Sequence, residues 1–189
     1  MSQALFISPD FIKENSAING NVDDKYIKNT IYLCQKLYLI PILGTTLYNE
    51  INDEIVAGSL SSDNSTLLTD YIDDCLLYYV LSEGISLFTY KIENKSVVKK
   101  NSDNSQPIDS EEVQILRDDY KNKAELFAQR ATNFLCENAS TTKYASYYTP
   151  GNGIDIVYPK KNNYESTWAL DTPTKDYGFD VDYGRKNYC

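Results

Sequence analysis

Histidine is missing from all 189 residues. That removes the commonest general base, the commonest metal ligand and the side chain that switches charge near neutral pH. Carboxylates, Lys and Tyr could still do chemistry, but the expectation is a protein that is not an enzyme and needs no cofactor. Cysteine is scarce. Cys34, Cys75, Cys136 and Cys189 form no CxxC pair, so zinc ligation is not expected. The first three fall on apolar helix faces and read as small buried hydrophobes in a reducing compartment. Long apolar runs are also lacking. No window reaches the roughly twenty residues of a membrane span. The start, Met1-Ser2-Gln3-Ala4-Leu5-Phe6-Ile7, has no basic region before an apolar run and is no signal peptide. A soluble protein made in a cytoplasm, with no membrane partner, is expected. Positive charge is in short supply, with 18 basic against 27 acidic residues and a net charge of −9. A dedicated nucleic-acid-binding face is therefore not expected. A surface that lets DNA slide past without sticking is compatible with that charge.

What is present divides near residue 140. Before it lies a helical body patterned with Ile, Leu and Tyr. Ser8 and Pro9 read as the cap and first position of a short helix, broken at Asn19-Gly20. Asn21 is placed as the cap of a second helix, with Ile27, Ile31, Cys34, Leu37 and Tyr38 on one buried face. Pro41 disrupts it and Gly44 resets its direction. A third helix starts at Thr45 or Thr46 and ends at Gly58. Residues 59–65 read as a loop, and residues 66–93 as a fourth helix, apolar on most sides and so central. Residues 94–107 form a polar connection in which Val97-Val98 makes a brief extended piece. Such a long connection is uncommon unless it is functional or disordered. A fifth helix opens on the capping box Asp109/Glu112, with Ile108 and Val113 as its staple. Val113, Leu116, Tyr120, Ala124, Phe127, Ala131 and Phe134 mark its buried stripe down to about Asn138. A short turn follows at residues 143–148. The expected fold class is all-α: a bundle of about four main helices over residues 1–148, with an extended C-terminal arm over 149–189.

The arm is too poor in aliphatic residues to offset the roughly 1–2 kcal/mol per residue that ordering costs. If it is ordered, another surface orders it. Gly151-Asn152-Gly153 lacks phosphate-loop spacing and reads as a hinge. Ile154-Asp155-Ile156-Val157-Tyr158 reads as a strand with no partner in a helical body, a candidate for addition to a neighbour's sheet. Of the 17 tyrosines, Tyr158, Tyr164, Tyr177, Tyr183 and Tyr188 lie in the arm with the sole tryptophan, Trp168. Large amphipathic rings at intervals suit docking into pockets on a partner. The expected partner-binding residues are Ile154, Ile156, Tyr158 and Trp168, together with a basic cluster, Lys95, Lys99 and Lys100, suited to phosphate or an acidic patch. Asp70, Asp73 and Asp74 read as acids placed by a helix N-terminal dipole, not as a metal or acid–base site.

Several segments carry a resemblance. They are Ala4-Leu5-Phe6-Ile7-Ser8-Pro9, Asn19-Gly20-Asn21-Val22-Asp23-Asp24-Lys25 and Pro41-Ile42-Leu43-Gly44-Thr45-Thr46-Leu47-Tyr48. Asn94-Lys95-Ser96-Val97-Val98-Lys99-Lys100-Asn101-Ser102-Asp103-Asn104-Ser105 and Leu116-Arg117-Asp118-Asp119-Tyr120 continue it. Across residues 4–140 the chain resembles head–tail adaptor (connector, ring) proteins of tailed phages, of the type found in crAss-like phages. The resemblance implies a helical-bundle subunit in a homo-oligomeric ring of about twelve copies. Its place would be the neck of the virion, beneath the portal protein and against adjacent tail or connector proteins. Genomic DNA would pass through without sequence-specific binding, and an acidic lumen would repel its backbone. A different reading of the same charge is a small acidic cytoplasmic regulatory or antirestriction-type protein that binds one partner.

Overall fold

The computed structural model describes residues 3–18, 20–92, 97–99 and 110–151, with side chains described over 3–18, 20–85 and 111–151. The helix starts follow local capping chemistry. α1 (Pro9–Glu14) opens where the Ser8 hydroxyl accepts the Phe11 N–H at 3.0 Å, with Pro9 in its first turn. α2 (Asp24–Cys34) is capped by Asp23, whose carboxylate accepts the Lys25 N–H at 2.9 Å. This corrects the placement of Asn21 as the cap. Asp23 adjoins the first turn and reaches an otherwise orphaned donor.

A π segment, Gln35–Leu39, carries α2 into α3 (Ile40–Ala57). Its wider turn holds more residues than an α turn, so the side chains beyond it change face. Leu37, expected in the core, is therefore 51% exposed, and Leu39 is fully buried instead. Pro41 follows directly on the π segment, in the first turn of α3, and does not break the helical run. The break comes at Gly44, with φ 75° and ψ 155°. Gly58 ends the helix in the left-handed conformation, φ 65°.

The expected loop at 59–65 and helix at 66–93 are corrected in both directions. α4 (Ser62–Leu67) already starts behind Ser61, whose hydroxyl accepts the Asn64 N–H at 3.3 Å. Asn64 is buried and donates to Glu54 at 2.8 Å and Glu50 at 3.3 Å, which pins this start to α3. A second π segment, Leu68–Ile72, leads into α5 (Asp73–Thr89). The chain then turns extended. β1 (Tyr90–Ile92) pairs antiparallel with β2 (Val97–Lys99), Tyr90 opposite Lys99 and Ile92 opposite Val97. α6 (Ser110–Asn138) and the short α7 (Ala145–Tyr148) follow. The fold is all-α apart from this ladder among the described residues, and no described helix is long and apolar enough to cross a membrane.

α5 is the central element, packed against both α2 and α6. Ile27, Ile31 and Cys34 of α2 and Leu76 and Val80 of α5 are fully buried. Truncating one such aliphatic side chain to Ala typically costs about 2–5 kcal/mol. The face that α6 turns inward is small, with Ala124 and Ala131 fully buried, so the two backbones come close. The Cys75 thiol donates to the Ala124 carbonyl at 3.8 Å and the Ser82 hydroxyl to the Arg117 carbonyl at 3.1 Å. Much of the body's tyrosine is spent on ring packing: Tyr38 on Tyr79 (3.9 Å between centroids), Tyr71 on Phe134 (4.1 Å) and Tyr78 on Phe127 (5.5 Å).

Candidate functional site

Several titratable side chains are held in contacts that join elements of the fold. Among the described residues, no group of three or more Cys, Asp or Glu is arranged to hold a metal ion. Asp70 lies in the second π segment and Asp73 and Asp74 in the first turn of α5, but the helical run is continuous from Ser62 and the Asp73 N–H is already bonded to the Leu68 carbonyl, so these acids do not face an unpaired helix N-terminus. The dipole explanation for them is therefore corrected, and the acid in the first turn of the run is Asp63. Asp73 is instead half-buried, and burial, followed by its neighbours Asp74 and Asp70, pushes its carboxyl up to about 6. Cys34 and Cys75 are free and fully buried. Burial raises both thiols, Cys75 to about 12, which leaves no thiolate for nucleophilic chemistry near neutral pH. Glu83 accepts from the Tyr38 hydroxyl at 2.7 Å and pairs with Arg117 at 3.3 Å. It ties the first π segment, α5 and α6 together.

A second construction holds the chain at residues 143–150. α7 sits on α3, and its Tyr147 is fully buried. The Tyr144 hydroxyl donates to the Asp63 carbonyl at 2.7 Å, and Lys143 pairs with Asp63 at 3.5 Å. Ser146 bonds to Glu50, and the Thr46 hydroxyl donates to the carbonyl of the buried Pro150 at 2.5 Å. Tyr144 adopts φ 50°, an uncommon value for a non-glycine residue, and packs edge-on against Phe134. The segment preceding residue 152 is thus fastened to α3, α4 and α6 by side chains far apart in sequence.

Of the expected partner-binding residues, Lys99 lies in β2 opposite Tyr90, and only its backbone is described. Lys95, Lys100, Ile154, Ile156, Tyr158 and Trp168, and with them the expected C-terminal strand, lie outside the described residues. The structure instead exposes apolar groups that periodicity either did not single out (Leu33, Ile115, Leu126) or placed on the buried face (Leu37). Leu33 (43% exposed) and Leu37 lie on the outer side of α2 and its π segment. Ile115 (69% exposed) and Leu126 (61% exposed) lie on the outer side of α6. The signal for the second pair was present in the sequence. A spacing of eleven residues is about three helical turns, so both stand on one face, away from the stripe running from Val113 to Phe134.

The family model described as "Family of unknown function (DUF6712)" matches residues 39–155, more than half of the chain. No curated protein and no solved structure matches it. The matched stretch runs from the first π segment through α5 and α6 to just beyond the fastened segment at 143–150, so that fastening lies within it. The chain belongs to the DUF6712 family.

Proposed function

We propose that this protein is a structural subunit of a tailed-phage virion, assembled as a ring between portal and tail through which the genome passes. The observation that carries the reading is the fastening of residues 143–150 to the bundle, followed by residues 152–189, a stretch too poor in aliphatic side chains to form a core. A helical body that grips the root of such a stretch is suited to presenting an arm to a neighbour. Supporting it are the resemblance over residues 4–140, the absence of histidine and the net charge of −9, which repels a passing phosphate backbone. In this reading Ile154, Ile156, Tyr158 and Trp168 engage a partner. Lys95, Lys99 and Lys100 meet a neighbouring subunit or the portal.

Electron microscopy of the protein co-expressed with portal is the direct test. Rings stacked on portal are expected. A small discrete species that never joins portal would instead fit the acidic regulatory protein. Within particles, Trp168→Ala should impair assembly more than Tyr188→Ala, since truncating a docked aromatic anchor commonly costs at least about 2 kcal/mol per site. Equal assembly of Trp168→Ala and wild type would remove the arm from the proposal.

A further inference from the structure

The outer sides of α2 and α6 differ in charge as well as sharing exposed leucine or isoleucine. On α2 and its π segment, Leu33 and Leu37 are flanked by the exposed Lys25 and Lys36. The two acids at the start of this helix are engaged: Asp23 caps it, and Asp24 pairs with Lys13 at 2.5 Å. On α6, Ile115 is accompanied by the exposed Glu111, Glu112 and Asp118. Of the cations of that helix, Arg117 pairs with Glu83, Lys123 with Asp119 and Lys121 with Glu125, while the exposed Arg130, one turn beyond Leu126, lies over the Phe127 ring and leaves the acidic charge concentrated about Ile115. One face is thus apolar with a basic rim, and the other apolar with an acidic rim. The helices bearing them both pack on α5 and share no comparable packing with each other.

We infer that these two faces bind one another between copies of this chain, the α2 side of one copy seating on the α6 side of the next. A second copy is the occupant that the charges select. Either face meeting itself would set like charges together, whereas each meeting the other pairs Lys with Glu and Asp around an apolar centre. Such a contact is heterologous, because the two surfaces are different patches of one molecule. It propagates head to tail and either closes as a ring or continues as a filament. The inference deepens the ring reading proposed above by naming its subunit interface, but it stands on the two faces alone.

Sedimentation velocity on the full-length chain provides the test. Wild type is expected to form oligomers larger than dimers. Lys25→Glu with Lys36→Glu, or Glu111→Lys with Asp118→Lys, should each raise the dissociation constant about tenfold or more. The four changes combined in one chain should restore association, as should mixing the two double variants, because acid again meets base. Loss of association by misfolding would not be rescued in either way. Carbodiimide coupling of isotope-mixed copies should join Lys25 or Lys36 of one copy to Glu111 or Asp118 of another. Wild type that stays monomeric, double variants that associate normally, no rescue, or coupling of those lysines to acids at 152–189 of the same copy would each overturn the inference. Head-to-tail oligomers that never join portal would leave it standing and end the virion reading instead.

Discussion

Single residues decide how the ends of the body are held. Gln35 is buried in the first π segment. Its Oε1 accepts the Phe6 N–H at 3.2 Å, and its Nε2 donates to the Ala4 carbonyl and the Tyr48 hydroxyl, each at 3.1 Å. The segment 4–9 and the segment 41–48, both carriers of the resemblance, meet at this one amide. Gly44 makes the second decision. At φ 75° and ψ 155° it occupies a region essentially closed to residues with a Cβ. Gly44→Ala should therefore destabilise the fold by about 1–3 kcal/mol in urea titration. An unchanged midpoint would mean that the chain turns there by other means. Asp73 makes the third. Its carboxyl rises from 3.8 to about 6 on folding, so between those values the folded protein binds more protons than the unfolded one. Stability contributed by this group is then full below the lower value and lost as pH rises through the upper one. Melting temperature measured against pH should show that decline, and Asp73→Asn should flatten it and exceed wild type at neutral pH. A variant with the same profile as wild type would count against the burial of this carboxyl.

At the scale of elements, the two π segments do what no propensity suggests. Each rotates the helix that follows it, so that one helical run serves two packing surfaces. The first moves Leu39 inward and Leu37 outward, and so contributes half of the exposed α2 face. Since the wide turn holds surplus chain, deleting Leu37 should let it relax toward α-helical geometry while neighbouring side chains keep their faces. Deleting Ile31, within the regular part of α2, should instead rotate everything before or after it out of the core. Circular-dichroism melts should place the Leu37 deletion well above the Ile31 deletion. Equal melts would mean that the π segment absorbs no chain. The α5–α6 pair depends on a different device, alanine on the inward face of α6, which lets hydroxyl and thiol donors reach backbone carbonyls.

At the scale of the molecule, the segment just before residue 152 is held by packing and by hydrogen bonds from distant elements. Tyr147 and Pro150 are buried, and Thr46, Glu50 and Asp63 hold the segment between them. Residues 152–189 are too poor in aliphatic side chains to form a core, so limited proteolysis of the free protein should cut there and spare 143–150, whose backbone is packed and hydrogen-bonded. Cleavage within 143–150 at the same rate would show that the fastening is weak. On the ring reading proposed above, protection of 152–189 should rise only in the assembly, which a repeat of the digestion on particles can read.

Much of the body was legible in the sequence because its signals are local. Ser8-Pro9, Gly44, Gly58, Val97-Val98, the end of α6 near Asn138 and the turn at α7 all depend on a few adjacent residues, and each stands where capping, glycine geometry or β-branching puts it. Composition likewise set the acidic balance and the lack of histidine. The phase of a helix across a π segment was not legible. It depends on which of two neighbouring leucines the rest of the core accepts, and that is settled only when α5 and the N-terminal segment are in place. The early start of α4 was hidden for the same reason, since Glu50 and Glu54, on another helix, supply Asn64 with its partners. Charge was countable residue by residue, but its division between a basic α2 face and an acidic α6 face was not. Part of that division is local, in the pairs Lys123 with Asp119 and Lys121 with Glu125 one turn apart; the rest, Asp24 with Lys13, Arg117 with Glu83 and the choice of which sides of α2 and α6 stay outside, is decided only by tertiary packing.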